Sequence, residues 1–320
     1  MPRDHRVRLV LAFAAIYVLW GSTYLAIRYA IETIPPHLMA SLRYATAGAV
    51  LVGVARLRGA AWPTRREWGV ALVAGLLLLT FGNGSLSWAE RRVPSGLAAL
   101  ILAGVPLVTV LADWLRPGGS RPDRFVLVGL VVGLLGVGLL VDPGARDAAR
   151  VDPLGAAGLF VATLSWAVGT VYSRHVHGAP SPLMGAGASM LMGSAGLLGL
   201  AALLGQLADV HLGAVSARSV LALGYLAVFG AVIGFTAYFW LVRNTTPALV
   251  TTYAYVNPVV ALLLGWAAEG EPVTARVVVA AAVILGGVLI VTTVPFHRAR
   301  VAARRTGRAP ESAAAARSPS

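Results

Sequence analysis

Four polar side chains stand inside long apolar stretches of this 320-residue sequence, and their types set the chemistry open to it. Arg43 offers a planar fork of donors that matches a carboxylate. Asn83 lies between Gly82 and Gly84, and small residues on both sides let a neighbouring backbone or a ligand come close. Asn257 precedes Pro258, which leaves a carbonyl one turn earlier without its helical donor. Asp113 is the one carboxylate within an apolar run and is the candidate group for proton coupling. Each has a plainer reading. Either asparagine could make an interhelical hydrogen bond, and Asp113 could pair with Arg116 or Arg124. Arg43 could pair with Glu32 or Glu90, or snorkel to the surface.

Aromatic residues accompany these groups. Trp20, Tyr24, Trp88, Trp166, Tyr238 and Tyr253 are candidate lining for a substrate site, where rings hold apolar or cationic groups by stacking and cation–π contact. Core packing is the alternative for the deeper rings. Anchoring at a membrane interface is the alternative for Trp88, which lies near the end of its run.

Enzymatic chemistry lacks its parts. The chain has no cysteine, so it has no thiol nucleophile, thiolate metal site or iron–sulfur cluster. Its six histidines stand at the ends of apolar runs or in tails, and His175-x-His177 without acids is a weak metal pair. There is no helical H-E-x-x-H and no phosphate loop. No catalytic residue, metal or cofactor is therefore expected.

The elements that must position these residues are membrane helices. Hydrophobic residues make up 58% of the chain and charged ones 12%, with a mean hydropathy of +0.77. Soluble domains carry about 25% charged residues. Windows free of Asp, Glu, Lys and Arg fall at 9–27, 44–55, 69–89, 93–112, 125–141, 153–173, 178–208, 219–242, 244–268 and 277–296. Only Arg43 shortens the second, which otherwise runs from about Pro36 to Ala55. A spanning helix needs about 20 residues, so the windows predict an all-α integral membrane protein of ten helices.

The first window follows Arg3, Arg6 and Arg8 in the manner of a signal peptide. Its length and the lack of a small-residue cleavage site mark it as a retained helix. All 26 basic residues are arginine. Eighteen fall in the termini and the alternate loops that share their side, and six in the opposite loops. That imbalance predicts both termini in the cytoplasm and contact with anionic lipid, and it argues against a nucleic-acid partner. The division expected is a cytoplasmic N-terminus (1–8), a first five-helix repeat (9–141), an outer linker (142–152), a second repeat (153–296) and a disordered basic tail (297–320).

The two halves echo each other. Trp20 and Trp166 each stand 16 residues before a proline, Pro36 and Pro182, and Leu38-Met39 matches Leu183-Met184. Pro106 and Pro258 each stand eight residues before a tryptophan, Trp114 and Trp266. Five spans per half give the halves opposite orientations, the inverted repeat that alternating access uses.

Several stretches carry a family likeness. Helix one reads Trp20-Gly21-Ser22-Thr23-Tyr24-Leu25-Ala26-Ile27, followed by Pro35-Pro36 and Leu42-Arg43-Tyr44. The junction of helices three and four runs from Trp88 to Leu97. Helix nine holds Tyr253-Ala254-Tyr255-Val256-Asn257-Pro258 and leaves through Gly270-Glu271. Over about residues 8–294 the chain resembles the EamA-type branch of the drug/metabolite transporter superfamily. One feature departs: where that family often ends helix four with Gly-Glu, this sequence has Pro117-Gly118-Gly119.

The resemblance implies a secondary transporter with a central cavity. Its expected task is export of small amphipathic metabolites, amino acids or drugs across the cytoplasmic membrane by alternating access. Import of an organic anion held by Arg43 is the alternative within the class. A membrane scaffold or lipid-modifying enzyme is the alternative outside it, and the sequence shows no catalytic cluster for one. Expected partners are a small-molecule substrate and anionic lipid. The Gly129–Gly133 spacing suits internal packing or a homodimer.

Overall fold

The computed structural model describes residues 3–119, 121–141, 151–176, 178–179, 181–245 and 252–305. Among them all the regular structure is helical. We label ten apolar helices: α1 (Arg3–Ala30), α2 (Pro36–Leu57), α3 (Arg65–Ala89), α4 (Ser95–Leu115), α5 (Arg124–Val141), α6 (Pro153–His175), α7 (Pro182–Leu203), α8 (217–244), α9 (Tyr253–Glu269) and α10 (Ala275–Arg305). Seven, α1 to α4 and α6 to α8, are long and apolar enough to cross a membrane. The apolar stretches of the other three, Arg124–Leu140, Val256–Glu269 and Ala275–Val291, are shorter. Most of the expected linker, 142–150, lies outside the described residues. α10 runs on to Arg305, into the segment expected to be a disordered tail. Alanine and arginine there are strong helix formers and extend the helix past its apolar part. Residues 306–320 lie outside the described residues.

Local chemistry sets where the helices start. α2, α6 and α7 have proline at the first position, where its missing N–H costs nothing. Asp152 caps α6 by accepting from Gly155 N–H at 2.7 Å. Thr64 and Glu67 form a reciprocal capping box at the start of α3. α4 has no such cap of its own. It breaks at Ala103–Gly104, just before Pro106, into Ser95–Leu102 and Val105–Leu115.

The repeat is visible in the backbone. α3 contains a π-helical segment at Leu76–Asn83, and α8 contains another at Leu226–Ile233, the same place in the second half. Gly118 after α4 and Gly270 after α9 both adopt left-handed φ, 76° and 64°. Helices also pair across the halves, α2 along α7, α5 along α10 and α4 beside α9. In lipid this association rests on close packing rather than on hydrophobic burial. A Cβ at Gly48 would meet the Gly187 carbonyl at 2.9 Å, and one at Gly129 would meet the Gly287 carbonyl at 2.9 Å. The Gly129 and Gly133 stripe therefore packs inside the molecule, on α10 and on Leu107.

Loop chemistry joins the halves at the face opposite the chain termini, here called the far face. Arg218 at the start of α8 bonds Glu32 at 3.2 Å and Glu269 at 2.7 Å. His37 and Gln206 form two hydrogen bonds, of 3.2 and 2.8 Å. Glu271 caps α4 from the other half, accepting from Ser95 N–H (2.7 Å), Ser95 Oγ (2.8 Å) and Gly96 N–H (2.9 Å).

Candidate functional site

The polar face of α3 is built by helical spacing. Asn83, Ser87 and Glu90 follow at i, i+4 and i+7, so they lie on one stripe. All three are buried, Glu90 with 1% of its surface exposed. Asn83 Oδ1, Ser87 Oγ and both Glu90 carboxyl oxygens have no hydrogen-bond partner. Buried polar groups are normally partnered, so four orphaned oxygens on one stripe mark it as more than packing. The glycines around Asn83 hold neighbours close. A Cβ at Gly82 would lie 3.4 Å from the Trp166 ring of α6, and one at Gly84 would lie 2.8 Å from Leu197 and 3.3 Å from His37.

Arg43 sits where α1, α2 and α8 meet. A Cβ at Gly230 would lie 3.0 Å from Thr23 Cγ2 and 3.4 Å from Arg43 Nη2. The guanidinium is 4.9 Å from the Tyr44 ring centroid, and its Nε and Nη1 are buried without a hydrogen-bond partner. Asn257 of α9 is also buried with an unpartnered Oδ1. Its carbonyl would be 3.2 Å from a Cβ at Gly21 of α1.

An aromatic cluster joins the two halves. Trp20 of α1 donates Nε1–H to the Gly230 carbonyl at 3.0 Å, inside the α8 π segment. Its ring lies 5.5 Å from Phe235, 5.4 Å from Tyr238 and 5.0 Å from Tyr253. The arrangement has a counterpart, for Trp166 of α6 packs on Gly82 in the α3 π segment. π segments recur at functional sites because the extra residue redirects side chains.

Of the expected site residues, Trp20, Tyr238 and Tyr253 come together. Tyr24 is within electrostatic reach of both Glu90 and Tyr253. Arg43, Asn83 and Asn257 share the property of being buried and unpartnered. Trp88 packs elsewhere, on Gly158 of α6 and 4.5 Å from the Arg92 guanidinium. Asp113 accepts from Arg116 Nε at 2.8 Å and is about one-third exposed, which is its plainer pairing. Among the described residues the buried acids are Glu90 and Glu271, which windows free of charge leave in the loops. The i, i+4, i+7 spacing of Asn83, Ser87 and Glu90 was the signal for the first.

A model of the EamA-like transporter family matches residues 8–142 and again 153–293. The chain is 40% identical over 283 residues to the uncharacterized inner membrane transporter YedA of Escherichia coli K12, covering 88% of this chain and 89% of that one. It is 24% identical to the uncharacterized transporter YvbV of Bacillus subtilis, over 92% of this chain and 94% of that one. With a chloroplastic WAT1-related protein of Arabidopsis thaliana it shares 27% identity, over 86% of this chain and 67% of that one. A protein crystal structure at 24% identity matches with a TM-score of 0.62, covering 90% of this chain and 98% of that one, a likeness of fold.

Proposed function

The chain belongs to the EamA-like transporter family, and from that premise we propose that it is a secondary transporter exporting small amphipathic metabolites, amino acids or drugs across the cytoplasmic membrane. Ten spans in two inverted repeats, with both termini inside, would alternate access to one central site. The observation that carries this reading is the aromatic cluster around Trp20, built by both repeats beside buried, unpartnered polar groups. Rings of this kind hold the apolar part of an amphipathic solute, and the orphaned groups hold its polar end. Anionic lipid would contact the arginine-rich side.

Two measurements test it. Thermal melting of the purified protein against a few hundred metabolites and amphipathic drugs finds ligands, since a ligand at 100 times its Kd stabilises by about 2.7 kcal/mol. Cells overproducing the protein should then show altered efflux of, or resistance to, the ligands found. No change across the panel would overturn export. Turnover of lipid by the purified protein without solute movement would favour an enzyme.

A second reading has its own support. Arg43 is buried with two unpartnered nitrogens, the state suited to receiving a carboxylate. On this reading the protein imports an organic anion. Arg43→Gln then abolishes uptake with folding intact, whereas retained uptake removes its central residue.

A further inference from the structure

Two buried acids near the far face live in opposite surroundings. Glu271 accepts three hydrogen bonds from Ser95 and Gly96. Glu90 accepts none, and both its oxygens are buried. Arg28 reaches its backbone carbonyl, with Nη1 at 3.4 Å. The groups acting on Glu90 are Glu271 from the α9–α10 loop, Arg28 and Tyr24 from α1, and Arg43 from α2. A bare carboxylate in such a place is costly.

We propose that Glu90 is a proton-binding site of this transporter, and that its proton is linked to the charge on Arg43. A proton adds to one Glu90 oxygen and takes its charge from −1 to zero. Arg43 favours the ionised form. Neutralising Arg43, as an anionic solute does on the reading that Arg43 holds one, therefore tightens the proton. Proton and anion enter the site together, and linkage makes the effect reciprocal.

The linkage is testable without a solute, so its failure is distinct from failure of the anion reading. The purified full-length protein and Glu90→Gln are melted across pH. A neutral buried glutamate with raised proton affinity loses its stabilising effect as pH climbs above the ordinary carboxylate range. The melting temperature of Glu90→Gln, minus that of the parent, should thus widen as pH rises. The same pair is then compared in an Arg43→Gln background, where the widening should start at the same pH but continue about 1 pH unit or more higher before it levels off. Arg43→Lys keeps the charge and should restore the original levelling-off point. Melting curves that stay parallel across pH overturn the proton site, and a levelling-off point unmoved by Arg43→Gln overturns the linkage. Infrared spectroscopy of the parent supplies a second readout should a variant fail to fold. It should show a protonated carboxyl stretch near neutral pH that Glu90→Gln lacks, and its absence from the parent also overturns the site.

Discussion

Arg43 shows how a single residue can be placed against its own stability. Its guanidinium lies beside Gly230 and Tyr44, with Nε and Nη1 bonded to nothing. Leaving a buried donor unsatisfied costs about 1–3 kcal/mol. Arg43→Gln should therefore raise the melting temperature of the solute-free protein while removing any stabilisation that organic anions give the parent. A lower melting temperature with anion stabilisation retained would make the side chain a structural brace. The residue itself is readable, because an arginine inside an apolar window must be paired, hydrated or snorkelled. Glu90 was less so. It follows the last residue of α3, and a window that stops at the first charge assigns it to a loop. Its i, i+4, i+7 spacing with Asn83 and Ser87 points to a shared stripe, and the fold shows that the chain buries it.

At the level of elements, the repeat is legible because tryptophan and proline are rare and their spacing survives in both halves. The π segments are not legible. Leu76–Asn83 and Leu226–Ile233 are apolar runs with no residue that forces the extra hydrogen-bond step, and Trp166 and Trp20 of the other half pack against them. Propensity would continue the α-helix through both. Deleting Val228 should do so, since it removes the one-residue surplus that a π segment accommodates. A π segment absorbs its surplus locally, so the flanking helix stays in phase while the residues inside the segment are re-aimed, and the Trp20 Nε1–H bond to the Gly230 carbonyl is lost. We expect the variant to fold, to lose ligand-induced stabilisation by aromatic solutes, and to change its tryptophan fluorescence. A variant with parent-like ligand response would show that the segment has no part in shaping the site.

The whole molecule is a pair of related halves with one deliberate inequality. Gly118 and Gly270 occupy matching places and share a left-handed backbone, but Glu271 follows the second and Gly119 the first. Only the second half can therefore send a carboxylate across to cap α4 of the other. That cap lies at the far face with the Arg218–Glu32 bridge and the His37–Gln206 pair. All three hold the halves together at one end. If access alternates, this end is the one these contacts keep shut. Cutting them shifts the population toward the state open at the far face. The chain has no cysteine, so single probes can be placed freely. A cysteine at Ser87 samples the far side of the site, and one at Phe13 samples the terminal side. In vesicles of either orientation, Glu271→Gln with Arg218→Gln should increase labelling at Ser87→Cys by an impermeant maleimide, and decrease it at Phe13→Cys. Opposite changes are the signature of a shift between two states. A rise at both positions would mean that the contacts only stiffen the fold, and alternation would need another latch.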